Sequence, residues 1–368
     1  MKRVVKSIYA PTRYVFVADR FSNFISVTDI VSGEHVETLD FSMRPHVMEL
    51  ARDDAMLAVG SPEVSAIEFM NLRTRERRRV ELPSPVFQLF FVPQTNLVAV
   101  GLRDQVGMIS YKDFSVRIFP RRFDSDQRQT LINTYYSLLF SSFSQSFWVL
   151  DEDRPFIYHR YGGAEPLDAP WKTIDLSRHI GSGSGLGIGV ASPEDDLLAM
   201  TTDDGSEGLV YFPAQDKVLS TGPMRTVGST NEPMIMPYID AYSKHVIFAD
   251  VTGNVALFDL VNGNGKPERF RVNFSPRFVR TGWLESTWIL AGDKGIMFQS
   301  FKDPSDRKVV RFVPEVMNMW VTGDSKTALY TLDEGAPTIY RFDIRTREPL
   351  PPIRVRGVTM ASNNSICY

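Results

Sequence analysis

Residues 45–82 read PHVMELARDDAMLAVGSPEVSAIEFMNLRTRERRRVEL. An apolar stretch after Pro45 meets a polar turn at Arg52-Asp53-Asp54, and a second apolar stretch covers 56–59. A Gly-Ser-Pro turn follows, then apolar residues 66–70, a charged turn and residues 79–82. Four short strands joined by tight turns fit into about 40 residues, the pattern of one propeller blade.

The unit recurs outward in both directions. Pro85, Pro233, Pro276 and Pro314 open similar segments. In each, a polar pair falls about ten residues on, at Thr95-Asn96, Ser243-Lys244, Glu285-Ser286 and Asp324-Ser325, before the second strand begins. Two further units fit at 135–174 and 186–219, and the N-terminal segment supplies another. The starts, near 3, 45, 85, 134, 185, 233, 276 and 315, predict an all-β chain. It is a β-propeller of eight blades of four-stranded antiparallel sheets, with seven blades as the alternative. The apolar blocks are rich in Val, Ile, Phe, Tyr and Thr, and helical spacing is poor. Residues 1–368 then form a single domain, and residues 355–368 supply a closing strand that relieves two open sheet edges. The region 120–134, followed by 161–189, is the place for an insertion outside the blades.

Composition narrows the function. Of 368 residues, 41 are Lys or Arg and 44 Asp or Glu, for a net charge of −3, which gives no reason to expect nucleic acid or an anionic membrane as partner. One cysteine, Cys367, leaves no internal disulfide and no Cys-rich metal site. No run reaches the roughly 18 apolar residues of a membrane helix. The start, Met1-Lys2-Arg3-Val4-Val5-Lys6, leads into no signal-peptide core. The expectation is a soluble protein with no membrane span, either periplasmic as a mature chain or cytoplasmic.

Residues 14–18 (YVFVA), 23–29 (NFISVTD) and 33–39 (GEHVETL), followed by Arg44-Pro45-His46, resemble the repeat of the YVTN family of β-propellers. That repeat is shared with propellers resembling the amine dehydrogenase heavy or β chain and with the haem d1 propeller of nitrite reductases. The resemblance implies a propeller and, often, a periplasmic location. It implies no single activity, since propellers host many.

In a propeller the first strand of each blade lines the central channel. The starts of these strands place Arg44, His46, Arg277 and Glu315 as candidate ligand-binding residues of an axial funnel. Two guanidiniums and an imidazole suit a small anionic ligand, while the plainer reading is a wet channel whose side chains hydrogen-bond water. The densest basic run, 73–79, sits at an outer hairpin. Arg75, Arg77 and Arg78 are candidates for protein docking, against the plain reading of a solvated turn. His35, His159, His179 and His245 lack metal spacing. The glycine run 181–189 lacks the strand–loop–helix frame of a phosphate loop, and reads as a loop leading into a strand where backbones approach closely. The acidic runs at 124–126, 151–153 and 203–204 lack the further ligands of a calcium loop. No catalytic residue and no metal ligand is assigned, and no cofactor is named. The expected function is a non-catalytic binding or scaffold protein that engages a protein partner or a small ligand. The alternative is the propeller subunit of an amine dehydrogenase-like redox enzyme, or a propeller with axial haem or metal.

Overall fold

The computed structural model describes residues 13–19, 21–51, 54–103, 105–120, 137–163, 166–180, 184–224, 234–312, 314–332, 338–356 and 365–367. All regular structure among them is strand. Eight four-stranded antiparallel sheets form the blades of a β-propeller, so eight blades stand and the seven-blade alternative falls.

Blade 1 holds β1 (Tyr14–Ala18), β2 (Phe24–Asp29) and β3 (His35–Asp40), and blade 2 holds β4 (Val47–Ala51), β5 (Met56–Ser61), β6 (Val64–Asn71) and β7 (Arg77–Glu81). Blade 3 is β8 (Val86–Val92), β9 (Leu97–Leu102), β10 (Gln105–Ser110) and β11 (Val116–Pro120). Blade 4 is β12 (Leu138–Ser141), β13 (Ser146–Leu150), β14 (Phe156–Tyr161) and β15 (Lys172–Asp175). Blade 5 is β16 (Leu186–Ala191), β17 (Leu198–Thr202), β18 (Gly208–Phe212) and β19 (Lys217–Ser220). Blade 6 is β20 (Tyr238–Ile239), β21 (His245–Ala249), β22 (Asn254–Asp259) and β23 (Glu268–Arg271). Blade 7 is β24 (Pro276–Gly282), β25 (Thr287–Gly292), β26 (Gly295–Ser300) and β27 (Arg307–Arg311). Blade 8 is β28 (Val316–Val321), β29 (Thr327–Leu332), β30 (Thr338–Asp343) and β31 (Glu348–Arg354). Blade 1 is completed by β32 (Ser365–Cys367), which takes its first-strand place beside β1, so that β3 is its fourth strand; β32 pairs with β1 through Val15↔Cys367, Phe16↔Ile366 and Val17↔Ser365. Val358 and Met360 of the expected closing segment 355–368 lie outside the described residues, as do residues 121–134 of the expected insertion.

The sheets owe their order to local chemistry. In the hairpins between third and fourth strands, a side-chain oxygen caps the turn. Asp29 accepts from the Val31 and Ser32 amides, Asn71 from Arg73 and Thr74, and Asp259 from Val261 and Asn262. The amides of Gly33, Arg75 and Arg347 then bond back to the carbonyls of Asp29, Asn71 and Asp343, which demands positive φ at all three. In turns between first and second strands, Gln94, Gln145, Ser243, Glu285 and Ser325 take positive φ, as do Ala55, Trp283 and Leu284.

The chain divides into two compact units: Met1–Arg103 with Ile109–Val116 and Arg280–Tyr368, and Asp104–Met108 with Arg117–Val279. In the first, β1 is buried along its whole length. Tyr14, Phe16 and Ala18 join a core with Leu57, Val59 and Met70 of blade 2, while Val15 and Val17 join Leu329, Ile339 and Ile353 of blade 8. Alternate side chains point to opposite faces, and each face meets another sheet, so the strand reads YVFVA rather than apolar-polar. In the second unit Met200 packs with Trp148 and Leu150 of blade 4, and its neighbour Ala199 with Val246 and Phe248 of blade 6.

The two edges of each sheet differ. Fourth strands are polar and open to solvent: β7 is RRRVE, β15 KTID and β27 RKVVR. Charges on an edge strand discourage pairing with another chain. First strands stay apolar, and several are part-exposed, as in β8 (VFQLFFV) and β28 (VMNMWV).

Candidate functional site

Arg44 and His46 lead into β4, and the hairpin between β5 and β6 reaches back to both. The His46 amide donates to the Gly60 carbonyl at 3.0 Å. Glu63, whose own amide donates to Ser61 Oγ at 3.3 Å, forms an ion pair with Arg44. Gly60 lets the hairpin sit there: a Cβ would lie 2.9 Å from Val86 Cβ and 3.0 Å from Val47 Cγ2. Burial holds the His46 pKa below the ordinary imidazole range, the Arg44 charge lowers it further, and Glu63 partly offsets both. Burial and the Arg44 charge both favour the neutral imidazole.

Glu315 is half-buried just before β28 in the same unit. Arg277, in β24, is exposed and belongs to the other unit. The described geometry thus joins Arg44 and His46 through Glu63. Reading the sequence missed Glu63. Its signal was the Ser61-Pro62 turn in the same blade, which carries a carboxylate at the hairpin tip next to the first-strand start.

First strands of this unit also carry apolar side chains that are only partly buried. Leu50, Phe87, Phe90, Met317 and Trp320 are each part-exposed, whereas β5 is fully buried. β8 and β28 share a register shift, between Val86 and Gln88 and between Val316 and Asn318. The extra residues are Phe87 and Met317. A bulge twists the strand locally and re-aims such a side chain.

The basic run at β7 is less open than its composition suggests. Arg75 pairs with Glu37 at 2.5 Å, and Arg79 with Glu81 at 2.7 Å. The Arg77 guanidinium lies 6.0 Å from the centre of the Phe41 ring, and that of Arg78 5.7 Å from the centre of Phe114.

The remaining histidines have structural surroundings. His245 Nδ1 lies 2.9 Å from Asp240 Oδ2, and His35 Nε2 3.1 Å from Thr38 Oγ1. Arg178 Nε donates to His179 Nε2 at 3.2 Å. His159 is buried, its ring 4.0 Å from that of Trp148 and edge-on to Tyr161 at 4.6 Å. Burial, with the nearby Lys172 charge, pushes its pKa down to about 4. No group of three or more metal-ligating side chains comes together among the described residues. Residues 181–183 and 124–126 lie outside the described residues. Gly185 stands where a Cβ would overlap the Glu152 carbonyl, so the later glycines of the run serve close backbone approach. Asp151 is fully buried and works as a turn anchor. It accepts from the Asp153 amide at 3.0 Å, Arg154 Nε at 3.0 Å and the Tyr158 hydroxyl at 2.7 Å.

No family model matches the chain, and no curated protein matches it in sequence. Solved structures do. The fold is similar to that of the dihydro-haem d1 dehydrogenase NirN in complex with DHE, with a TM-score of 0.68 and 14% identity over 97% of this chain and 74% of that one. It is also similar to the computationally designed protein Ika8, with a TM-score of 0.57 and 12% identity over 89% of this chain and 91% of that one. At such identities the likeness is one of fold. Among the described residues no helix is long and apolar enough to cross a membrane.

Proposed function

We propose that this chain is a non-catalytic binding propeller, one domain built on the YVTN-type repeat. Its ligand is a flat aromatic molecule bearing carboxylates, of the tetrapyrrole class. The observation that carries this reading is the half-buried state of Phe87, Phe90, Met317 and Trp320 on first strands, in the unit that also presents Arg44 near His46. A partly open aromatic side chain on a first strand offers area that a ligand can cover. Flat aromatic faces suit a macrocycle, and a cation beside them suits its carboxylates. The ion pair of Arg44 with Glu63 is part-exposed on both sides, so a ligand carboxylate can take the guanidinium over at little cost. NirN is named as a complex with DHE, and its fold likeness adds support for this class over an amine dehydrogenase-like subunit.

The residues present fit a haem-type group. His46 would offer its imidazole to the iron, Arg44 would hold a carboxylate, and Trp320 and Phe87 would cover apolar faces. Such a group brings redox or axial-ligand chemistry when bound, while the protein's part is to bind, orient and shield it. Glu315, just before β28 in the same unit, is a further charge. The reading fits a soluble protein of the periplasm or the cytoplasm.

The test is titration of the protein with ferric protoporphyrin IX and with metal-free protoporphyrin IX, followed by the Soret band and tryptophan fluorescence. His46→Ala should abolish the iron-specific spectral shift and leave metal-free binding intact. Arg44→Ala should weaken both by about tenfold, the scale of a charge-assisted contact. Absence of binding, or equal binding by both variants, would refute the proposal.

A further inference from the structure

The fourth strand of blade 2, β7, is an open edge. Its register partners all lie on β6, from Arg77↔Met70 to Glu81↔Ala66, and β7 ends its sheet. Three consecutive arginines, Arg77, Arg78 and Arg79, are exposed along it, and among the described residues no other fourth strand carries three consecutive cations. Arg79 is satisfied by Glu81. Among the described residues Arg77 and Arg78 meet no carboxylate.

What they do meet is instructive. Successive strand residues point to opposite faces, and each face holds a ring: Arg77 over Phe41, which follows β3, and Arg78 over Phe114, which precedes β11. A guanidinium held over a ring is fixed in orientation while its N–H edge stays free to donate. The two side chains thus lose little rotational freedom when an anion arrives. Phe114 takes positive φ, 60°, and also contacts Phe69 at 5.9 Å, so the ring under Arg78 is itself anchored.

We infer that the β7 edge is a docking surface for an extended acidic segment of a partner protein, added as a fifth strand. The backbone of β7 would supply the ladder, and Arg77 and Arg78 would take carboxylates of neighbouring residues on the two faces of the added strand. Duplex nucleic acid is the poorer fit, because it offers no ladder and the chain as a whole carries a net charge of −3. Arg75 takes no part, being held by Glu37.

Fluorescence polarisation with a labelled eight-residue Glu/Val peptide tests this, beside the same peptide interrupted by two prolines, heparin and a DNA duplex. The expected result is binding of the uninterrupted peptide, weakened at least tenfold by the prolines and at least tenfold by the pair Arg77→Ser and Arg78→Ser. Hydrogen exchange should show new protection of the 77–81 amides in the complex. Arg77→Lys with Arg78→Lys keeps the charge and the fold and should lose about threefold. Equal binding of both peptides would reduce the surface to charge alone and overturn strand addition. Tighter binding of heparin or DNA through the same arginines would overturn the partner class. No peptide binding, with self-association appearing in the serine variant, would show that the arginines only guard the edge.

Discussion

Gly208 sits in β18 against the Phe248 ring of β21, within the second unit. A Cβ built there would lie 2.4, 2.6 and 2.7 Å from three ring atoms. Something must move, and little can. Phe248 has no exposure and stands edge-on to Phe258 with ring centres 6.2 Å apart. The Gly208 backbone is held on both sides by Thr221: its amide donates to Thr221 Oγ1 at 2.8 Å, and its carbonyl accepts from the Thr221 amide at 2.8 Å. Gly208→Ala should therefore fall at the upper end of overpacking costs, about 3 kcal/mol. Phe248→Leu alone should cost about 1–2 kcal/mol in lost contact. Together they should cost less than their sum by about 1–2 kcal/mol, because the smaller side chain yields the space the methyl needs. Urea unfolding of the four proteins reads this directly, the midpoint falling with an unchanged slope. A neutral Gly208→Ala, or strict additivity of the pair, would mean the sheet spacing here is not set by the missing Cβ.

Three further outcomes follow from the geometry. Deleting residues 365–368 leaves the edge of β1 opposite β2 open along Val15–Val17, and at about 0.5–1.5 kcal/mol per lost hydrogen bond the cost is about 2–4 kcal/mol; an unchanged melting temperature would show that β32 adds nothing. His159 holds a proton more weakly in the folded protein than in the unfolded chain. Stability should fall as pH drops from about 6.5 to about 4 and level off below, by on the order of 3 kcal/mol, and His159→Phe should flatten that profile in melts across this range. NMR titration of His46 should show its pKa rising in Arg44→Ala and falling in Glu63→Gln; opposite movements would mean that the hairpin does not set its charge environment.

The blades were legible because each rule they obey is local. A hairpin needs a side-chain cap at a fixed offset, and Asp29, Asn71, Asp259 and Asp343 mark four of them in the bare sequence. A strand covered on both faces needs an unbroken apolar run, and 56–59 or 288–291 could hardly be anything else. Site chemistry was less legible, because it depends on what reaches across. Arg44 stands out as a charge, yet its partner Glu63 is set by the path of a hairpin. The run 73–79 looks like one uniform basic patch. Only the fold separates Arg75, spent on Glu37, from Arg77 and Arg78, which rest on rings contributed by segments on either side of blade 2.

The pairing of β1 with β32 also bears on how the chain is made. On the ribosome β1, β2 and β3 emerge early, but the strand that covers β1 is synthesised after all the others. At about 5–20 residues per second, the apolar edge of Val15, Phe16 and Val17 waits on the order of tens of seconds for its partner. Through that interval any other nascent strand can take the place of β32. A chaperone that holds the first blade until translation ends would therefore raise the yield of this protein more than one that acts on the finished chain.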